Sequence, residues 1–292
     1  MTSDDISTRT LPPVVRCHIL DTGYCVALEA LVIRGGAWRH VALHSLVAVI
    51  EHPIHGWLLW DTGYAPRMFD ATVQWPYSLY RRATPLHIHH DLAVINQLDS
   101  LGLAAGDIRR VLLSHFHADH LAGLHDFPTA EVIAPRAAFE DVATRHGMSA
   151  LRRAFLPALL PEDFASRATL LTDYTGPAIP RLGPTHDIFG DGSLLLVQLP
   201  GHARGQQGLL ANTDRGKVLF AADSCWLTRS IREGRPPSRL TNVIADSPNA
   251  LQATIWRLHA FATEHPDVRL VPSHCPEAFE REVKQDVGER PP

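Results

Sequence analysis

Short apolar runs that end in small polar residues recur along this chain, and each reads as a strand closing in a turn. Residues 14–20 and 25–33 flank Asp21-Thr22-Gly23 and predict a hairpin. Residues 41–50 and 57–60 predict two more strands, joined through His52-Pro53-Ile54-His55-Gly56, whose two histidines are expected in solvent. The alternation then breaks. Over 64–90, Phe69, Trp75, Tyr77 and Tyr80 are interleaved with prolines and arginines, as in a segment crossing the surface. Leu92, Val94, Ile95, Leu98 and Leu101 recur at helical spacing, and Gly102 predicts the helix end. Val111-Leu112-Leu113 is strand-like, 131–134 predicts a strand and 136–146 a helix. From 148 to 172 the chain is rich in Leu, Ala, Phe and Arg but broken by Pro157 and Pro161. It predicts short helices in an insertion, running to about 185, that stays outside the sheet.

Strands follow at 194–199 and 217–222, then a basic, loop-like stretch at 230–241. Ser247-Pro248 opens an amphipathic helix, with Ser as cap and Pro at the first position. Its apolar stripe is Leu251, Ile255, Leu258 and Phe261; Pro266 stops it before a last strand at 268–272. Two β-rich halves with flanking helices, no short-period repeat and no linker predict one domain over 1–292. The fold class is α/β, an αββα sandwich of two mixed β-sheets, with the site at the seam between them.

The chemistry concentrates in Ser114-His115-Phe116-His117-Ala118-Asp119-His120, which directly follows an apolar run. Imidazole and carboxylate suit zinc and its first-row neighbours. Four such groups in so short a span could not all serve one tetrahedral ion. They could serve two, His115 and His117 on one and Asp119 and His120 on the other. A lone HxH would mean little in a chain with 18 histidines, but HxHxDH behind a hydrophobic strand is far more specific. His87, His89 and His90 have a metal-like spacing but no strand to deliver them, and are read as non-ligands; His125 is assigned to packing or surface.

With these motifs the chain resembles the metallo-β-lactamase-fold superfamily of metallohydrolases. Asp61-Thr62-Gly63 follows Trp57-Leu58-Leu59-Trp60; then come HxHxDH, His202 in Pro200-Gly201-His202, Asp223 after Val218–Ala222, and His274 after Leu270-Val271-Pro272-Ser273. The resemblance implies two Zn2+ or other divalent first-row ions. His115, His117 and His202 would hold one, Asp119, His120 and His274 the other, and Asp223 would bridge them. It implies that Asp61 orients a ligand imidazole from outside the shell, that Asp119 assists proton transfer to the leaving group, and that the reaction is hydrolysis. Water bound to such an ion has its pKa lowered from ~15.7 to about 7, so a nucleophile exists at neutral pH. In layout the chain is most similar to N-acyl homoserine lactone lactonases, which implies a small ester-like substrate, a lactone first. Hydrolysis of a thioester as in glyoxalase II, an organophosphate or a β-lactam is the alternative. A catalytically silent member of the fold would lack a ligand, and none is missing. Those lactonases often carry Tyr three residues after the bridging Asp; here the position is Trp226, whose indole N–H donates but neither ionises nor accepts. Trp226 and the aromatics Phe69, Trp75, Tyr77 and Tyr80 are the candidate substrate contacts, as an apolar lip or, alternatively, the contact of a homodimer.

Composition narrows the partners. A net charge of −4 with no basic run argues against nucleic acid, and no apolar stretch is long enough to span a bilayer. The polar, acidic start MTSDDISTRTLPP lacks a secretory pattern, and Cys17, Cys25, Cys225 and Cys275 show no CxxC spacing. The expectation is a soluble cytoplasmic enzyme with reduced thiols, acting on a small molecule.

Overall fold

The computed structural model describes residues 11–284, so most of the N-terminal segment read for a leader lies outside the described residues. One sheet contains β1 (Arg16–Leu28), β2 (His40–His52), β3 (Gly56–Trp60), β4 (Leu86–His87), β5 (Ile108–Leu112), β6 (Glu131–Pro135) and β7 (Ala168–Leu171). Its order is β4-β1-β2-β3-β5-β6-β7. The other contains β8 (Gly176–Ile179), β9 (Gly183–Asp187), β10 (Leu194–Gln198), β11 (Gln207–Thr213), β12 (Gly216–Ala222) and β13 (Arg269–Pro272), in the order β13-β12-β11-β10-β9-β8.

Period-two alternation assigns side chains to layers. In β2, Leu46, Ala48 and Ile50 enter the core between the sheets, while Val47 and Val49 face a second core beneath the outer helices. In β12, Val218, Phe220 and Ala222 point to the shared core, and Leu219 and Ala221 to a third, closed by the helix Pro248–Glu264. Strands buried on both faces read as unbroken apolar runs, and helices cover both outer faces. The result is two mixed sheets between helical layers, the αββα architecture.

The parallel pairs set the site. β3, β5 and β6 run side by side in one direction, as do β12 and β13, so their carboxyl ends share a rim. Asp61, the Ser114–His120 loop, Asp223 and His274 all follow strands ending at this rim, and His202 leaves β10 there.

Several expectations need correction. Asp21-Thr22-Gly23 is not a hairpin: residues 16–28 form one strand, both halves of which pair with β2 from Arg16↔Glu51 to Leu28↔His40. The turn-forming letters build a bulge between Asp21 and Tyr24, with Gly23 at φ +118, and Glu29–Val32 is a helical turn rather than strand. The stretch 148–185 does not stay outside the sheets. After short helices at Gly147–Leu151 and Phe164–Arg167, β7 joins the edge of the first sheet and β8 and β9 that of the second. Edge strands are short and partly polar, which hides their period. The predicted helix at 91–101 is a single turn, Val94–Gln97, between two 3-10 turns, and it does end at Gly102 with φ 70. The basic stretch at 230–241 begins within a helix, Thr228–Arg232.

His52 and His55 are also not free in solvent. His52 is buried; its Nδ1 accepts from the amides of Ile54 (3.1 Å) and His55 (3.2 Å), so Nε2–H must donate, to Asp191 Oδ2 at 3.0 Å. His55 stacks on Phe189 with centroids 3.8 Å apart. Both partners lie in the β9–β10 turn, so this group ties the two sheets together at the end away from the rim. It has cation-binding letters, but both nitrogens of His52 are already committed.

Candidate metal centre

The rim gathers seven ligand-type groups into two sets. His115, His117, His202 and Asp223 form one; Asp119, His120 and His274 form the other, with the ligand atoms of each set within 4.8 Å of one another. Asp223 connects them: Oδ2 is 2.9 Å from His274 Nε2 and 3.3 Å from His202 Nε2, and Oδ1 is 3.2 Å from His120 Nε2. His274 Nε2 also lies 3.3 Å from Asp119 Oδ2. The Nδ1 of His117 and the Nε2 of His202 are 3.0 Å apart.

Outer contacts settle the protons on three imidazoles. Asp61 sits at the end of β3 with φ 55, a left-handed conformation that Asp tolerates better than most residues. Its Oδ1 accepts from the Ser114 amide and its Oδ2 from the Ser114 hydroxyl, both at 2.7 Å, and Oδ2 also accepts from His120 Nδ1 at 2.8 Å. Because the Ser114 hydroxyl donates to a carboxylate, it presents lone pairs to His115 Nδ1 at 2.9 Å, so that nitrogen carries the hydrogen. His274 Nδ1 faces the carbonyl of His44 and must also donate. In all three rings the other nitrogen keeps its lone pair for the cluster. His115 Nε2, His120 Nε2 and Asp223 Oδ1 are buried without a hydrogen-bond partner. Such groups cost about 1–3 kcal/mol each when left unmade, so a native site that holds three together has a use for them. Nitrogen and carboxylate donors in two adjoining sets, with the remote nitrogens already pinned, fit a pair of divalent cations.

For three of the imidazoles the electrostatics agree with this; for His120 and His274 the carboxylates favour a proton that a cation would have to displace. Burial pushes His117 and His202 down to about 3, and burial with the neighbouring His120 and His117 keeps His115 well below the usual imidazole range. These rings are neutral, as ligands must be. Burial works against charge on His120 and His274, but Asp223 outweighs it and raises both. Burial would raise Asp223 too; His274, His120 and His202 instead hold it well below the carboxylate range.

The His202 loop is fixed from behind. Gly201 has φ +132, and a Cβ there would lie 2.1 Å from the Leu251 amide nitrogen. The Gly201 and His202 carbonyls each accept at 2.9 Å, from the amides of Ser247 and Asp246, and Thr254 Oγ1 donates to the Pro200 carbonyl at 2.7 Å.

Of the aromatic candidates, Trp226 reaches the cluster: its indole N–H donates to Asp223 Oδ2 at 3.2 Å, and its ring stands edge-on to His202 at 5.8 Å. Tyr80 is buried, and burial with the charge of Asp119 raises its phenol well above the ordinary range. Phe69 and Tyr77 pack against the helical-side core, Tyr77 accepting from the Gly147 amide, and Trp75 is 71% exposed. The sequence reading missed Ser114 as a functional group and the His44 carbonyl. The first had a signal in its place beside Asp61's partner strand; the second, a backbone atom, had none. His87, His89 and His90 lie outside both sets.

Comparison with known proteins places this geometry. The chain matches the metallo-beta-lactamase superfamily over residues 41–258. N-acyl homoserine lactonase AttM of Rhizobium radiobacter is 28% identical over 196 residues, which span 65% of this chain and 66% of that protein. A probable metallo-hydrolase of Mycobacterium tuberculosis is 26% identical over 289 residues, 92% of this chain and 83% of that one. A solved N-acyl homoserine lactone hydrolase, with the product N-hexanoyl-L-homoserine at its catalytic metal centre, superposes with a TM-score of 0.69 at 17% identity, covering 95% of this chain and 97% of that chain. Two mixed sheets with the seven ligand-type groups of the cluster on one rim, and a family pattern running from β2 into the helix Pro248–Glu264, lead to one conclusion: the chain belongs to the metallo-beta-lactamase superfamily.

Proposed function

We propose that this protein is a dinuclear, zinc-type hydrolase that opens a small ester-like electrophile, with an acyl homoserine lactone as the favoured class. The observation that carries the reading is the pair of ligand sets joined at Asp223, with the lone pairs of His115, His120 and Asp223 left for cations. When bound, two divalent ions would polarise the substrate carbonyl and lower the pKa of water to about 7. The residues of the chain would do the rest. His115, His117 and His202 would hold one ion and Asp119, His120 and His274 the other, with Asp223 between. Asp119, whose carboxylate is the most open of the seven groups, is placed to pass a proton to the leaving alkoxide. Trp226 stands over the cluster with its one N–H held by Asp223, so it would contact substrate through the face and edge of its ring alone. The cleft beside His117 and His202 has apolar walls in Phe116, Ala138, Val142 and Ala203 and charged ones in Asp141, Arg153 and Arg204, so an apolar substituent would lie along one side of it. No helix among the described residues is long and apolar enough to cross a membrane.

Elemental analysis should find two equivalents of metal in wild-type protein, a large loss of both in Asp223→Ala and a loss mainly of one in His202→Ala. Across acyl lactones, each added methylene that becomes buried should contribute up to ~0.8 kcal/mol, so kcat/KM should rise with chain length, less steeply in Trp226→Ala. A single equivalent of metal would end the dinuclear reading. A flat chain-length profile would end the apolar-pocket argument, and activity confined to thioesters would move the substrate to that class.

A further inference from the structure

The first Asp-Thr-Gly, at 21–23, has no ligand-type role, yet it is buried against the supports of one ligand set. Asp21 Oδ2 lies 3.0 Å from His44 Nδ1, and the His44 ring is clamped between that carboxylate and Phe279, stacked with centroids 3.8 Å apart. The carbonyl of this same His44 accepts from His274 Nδ1. Thr22 Oγ1 donates to the Ser45 carbonyl at 2.9 Å, and Ser45 Oγ donates to the Asp119 carbonyl, also at 2.9 Å. Thr22 Oγ1 in turn accepts from the Tyr64 amide at 2.9 Å, and Gly63 packs so closely on Thr22 that a Cβ would come within 2.2 Å of its hydroxyl. Residues 61–64 hold His120: Asp61 takes its Nδ1–H, and the Thr62 amide donates to its carbonyl at 2.8 Å. The contacts of the bulge therefore lead to His274, Asp119 and His120. Among the described residues none of them runs to His117 or His202, and the other set is reached at His115 alone, through Asp61 and Ser114.

We propose that the Asp21-Thr22-Gly23 bulge is a positioning element for the Asp119–His120–His274 set, acting through residues 44–45 of β2 and the turn after β3. This rests on the dinuclear reading of the site. A bulge is suited to the task because it turns consecutive side chains of an edge-side strand toward one neighbour, here placing Asp21 under His44 and Thr22 under Ser45. Direct outer contacts to a ligand are worth about 10–100-fold in metal affinity, and the bulge acts one contact further out, so its effect belongs at the low end of that range.

The test is zinc retention against graded chelator in purified full-length protein. Thr22→Val and Asp21→Asn should release one of two equivalents at chelator concentrations about tenfold lower than wild type, with the second equivalent unmoved. Thr22→Ser, which keeps the hydroxyl, should behave as wild type. In a His274→Ala background Thr22→Val should add nothing, whereas in His202→Ala it should add its full effect. Parallel weakening of both equivalents, failure of Thr22→Ser to rescue, or a lowered melting temperature with unchanged zinc retention would overturn the proposal. If Thr22→Val does not fold, Asp21→Asn and His44→Ala carry the same comparison. Wild-type protein that never holds two zinc ions would overturn the dinuclear reading, and this inference with it.

Discussion

At the scale of single residues, Asp61 and Ser114 divide one task. Asp61 touches His120 directly and reaches His115 only through the Ser114 hydroxyl. Asp61→Ala should therefore reduce metal affinity about 10–100-fold with the fold intact, and should affect both ions. Ser114→Ala should affect mainly the ion of His115, since the His120 contact survives. Isothermal titration of zinc into the two variants, with circular dichroism as the check on folding, measures this. Undiminished zinc binding in Ser114→Ala would mean that the hydroxyl does not relay the orientation.

At the scale of elements, the site depends on how strand ends are finished. The His202 loop stays in place because Gly201 adopts a left-handed conformation and lets the backbone press against the start of the helix Pro248–Glu264. Gly201→Ala should add strain of about 1–3 kcal/mol besides the clash, visible as a lower denaturation midpoint, and should weaken zinc binding as His202→Ala does. A variant with unchanged zinc binding would show that the loop is held by its hydrogen bonds alone. The strand-then-ligand pattern was legible in the sequence because buried strands are apolar on both faces and ligand residues stand out at their ends. The bulge at 21–23 was not legible. A bulge and a hairpin share the same turn-forming letters, and only the long pairing with β2 distinguishes them. The short strands β7, β8 and β9 at the sheet margins escaped for a related reason, since a strand of four or five residues with little buried need not alternate. The tie between His52 and Asp191 joins residues far apart in sequence, and nothing local marks it.

At the scale of the whole molecule, buried imidazoles tie stability to pH. His117 and His202 titrate at about 3 in the folded chain and near 6.5 when unfolded. The unfolded state therefore binds more protons as pH falls below 6.5, and stability drops with it. His120 and His274 are raised, so their contribution is complete below 6.5 and is lost as pH climbs through their folded values. Chelator-treated protein should be most stable near pH 6.5, with the urea midpoint falling on both sides; a midpoint that only rises with pH would contradict this assignment.

The tie at the far end has a mechanical consequence. His52 and His55, against Asp191 and Phe189, lock the two sheets together where no cation is called for. At the opposite end the ligand groups face one another across the seam, beside direct ties from the Leu46 amide to the Ser273 carbonyl and from Gln207 to the carbonyls of Leu113 and Ser114. The far end thus serves as a fixed pivot, and ions bound at the rim would add a clamp across the other end of the seam. Loading should quieten the amides after β5, β10, β12 and β13 in hydrogen exchange and leave those of the pivot as they were. The metal would then be part of the latch as well as of the chemistry.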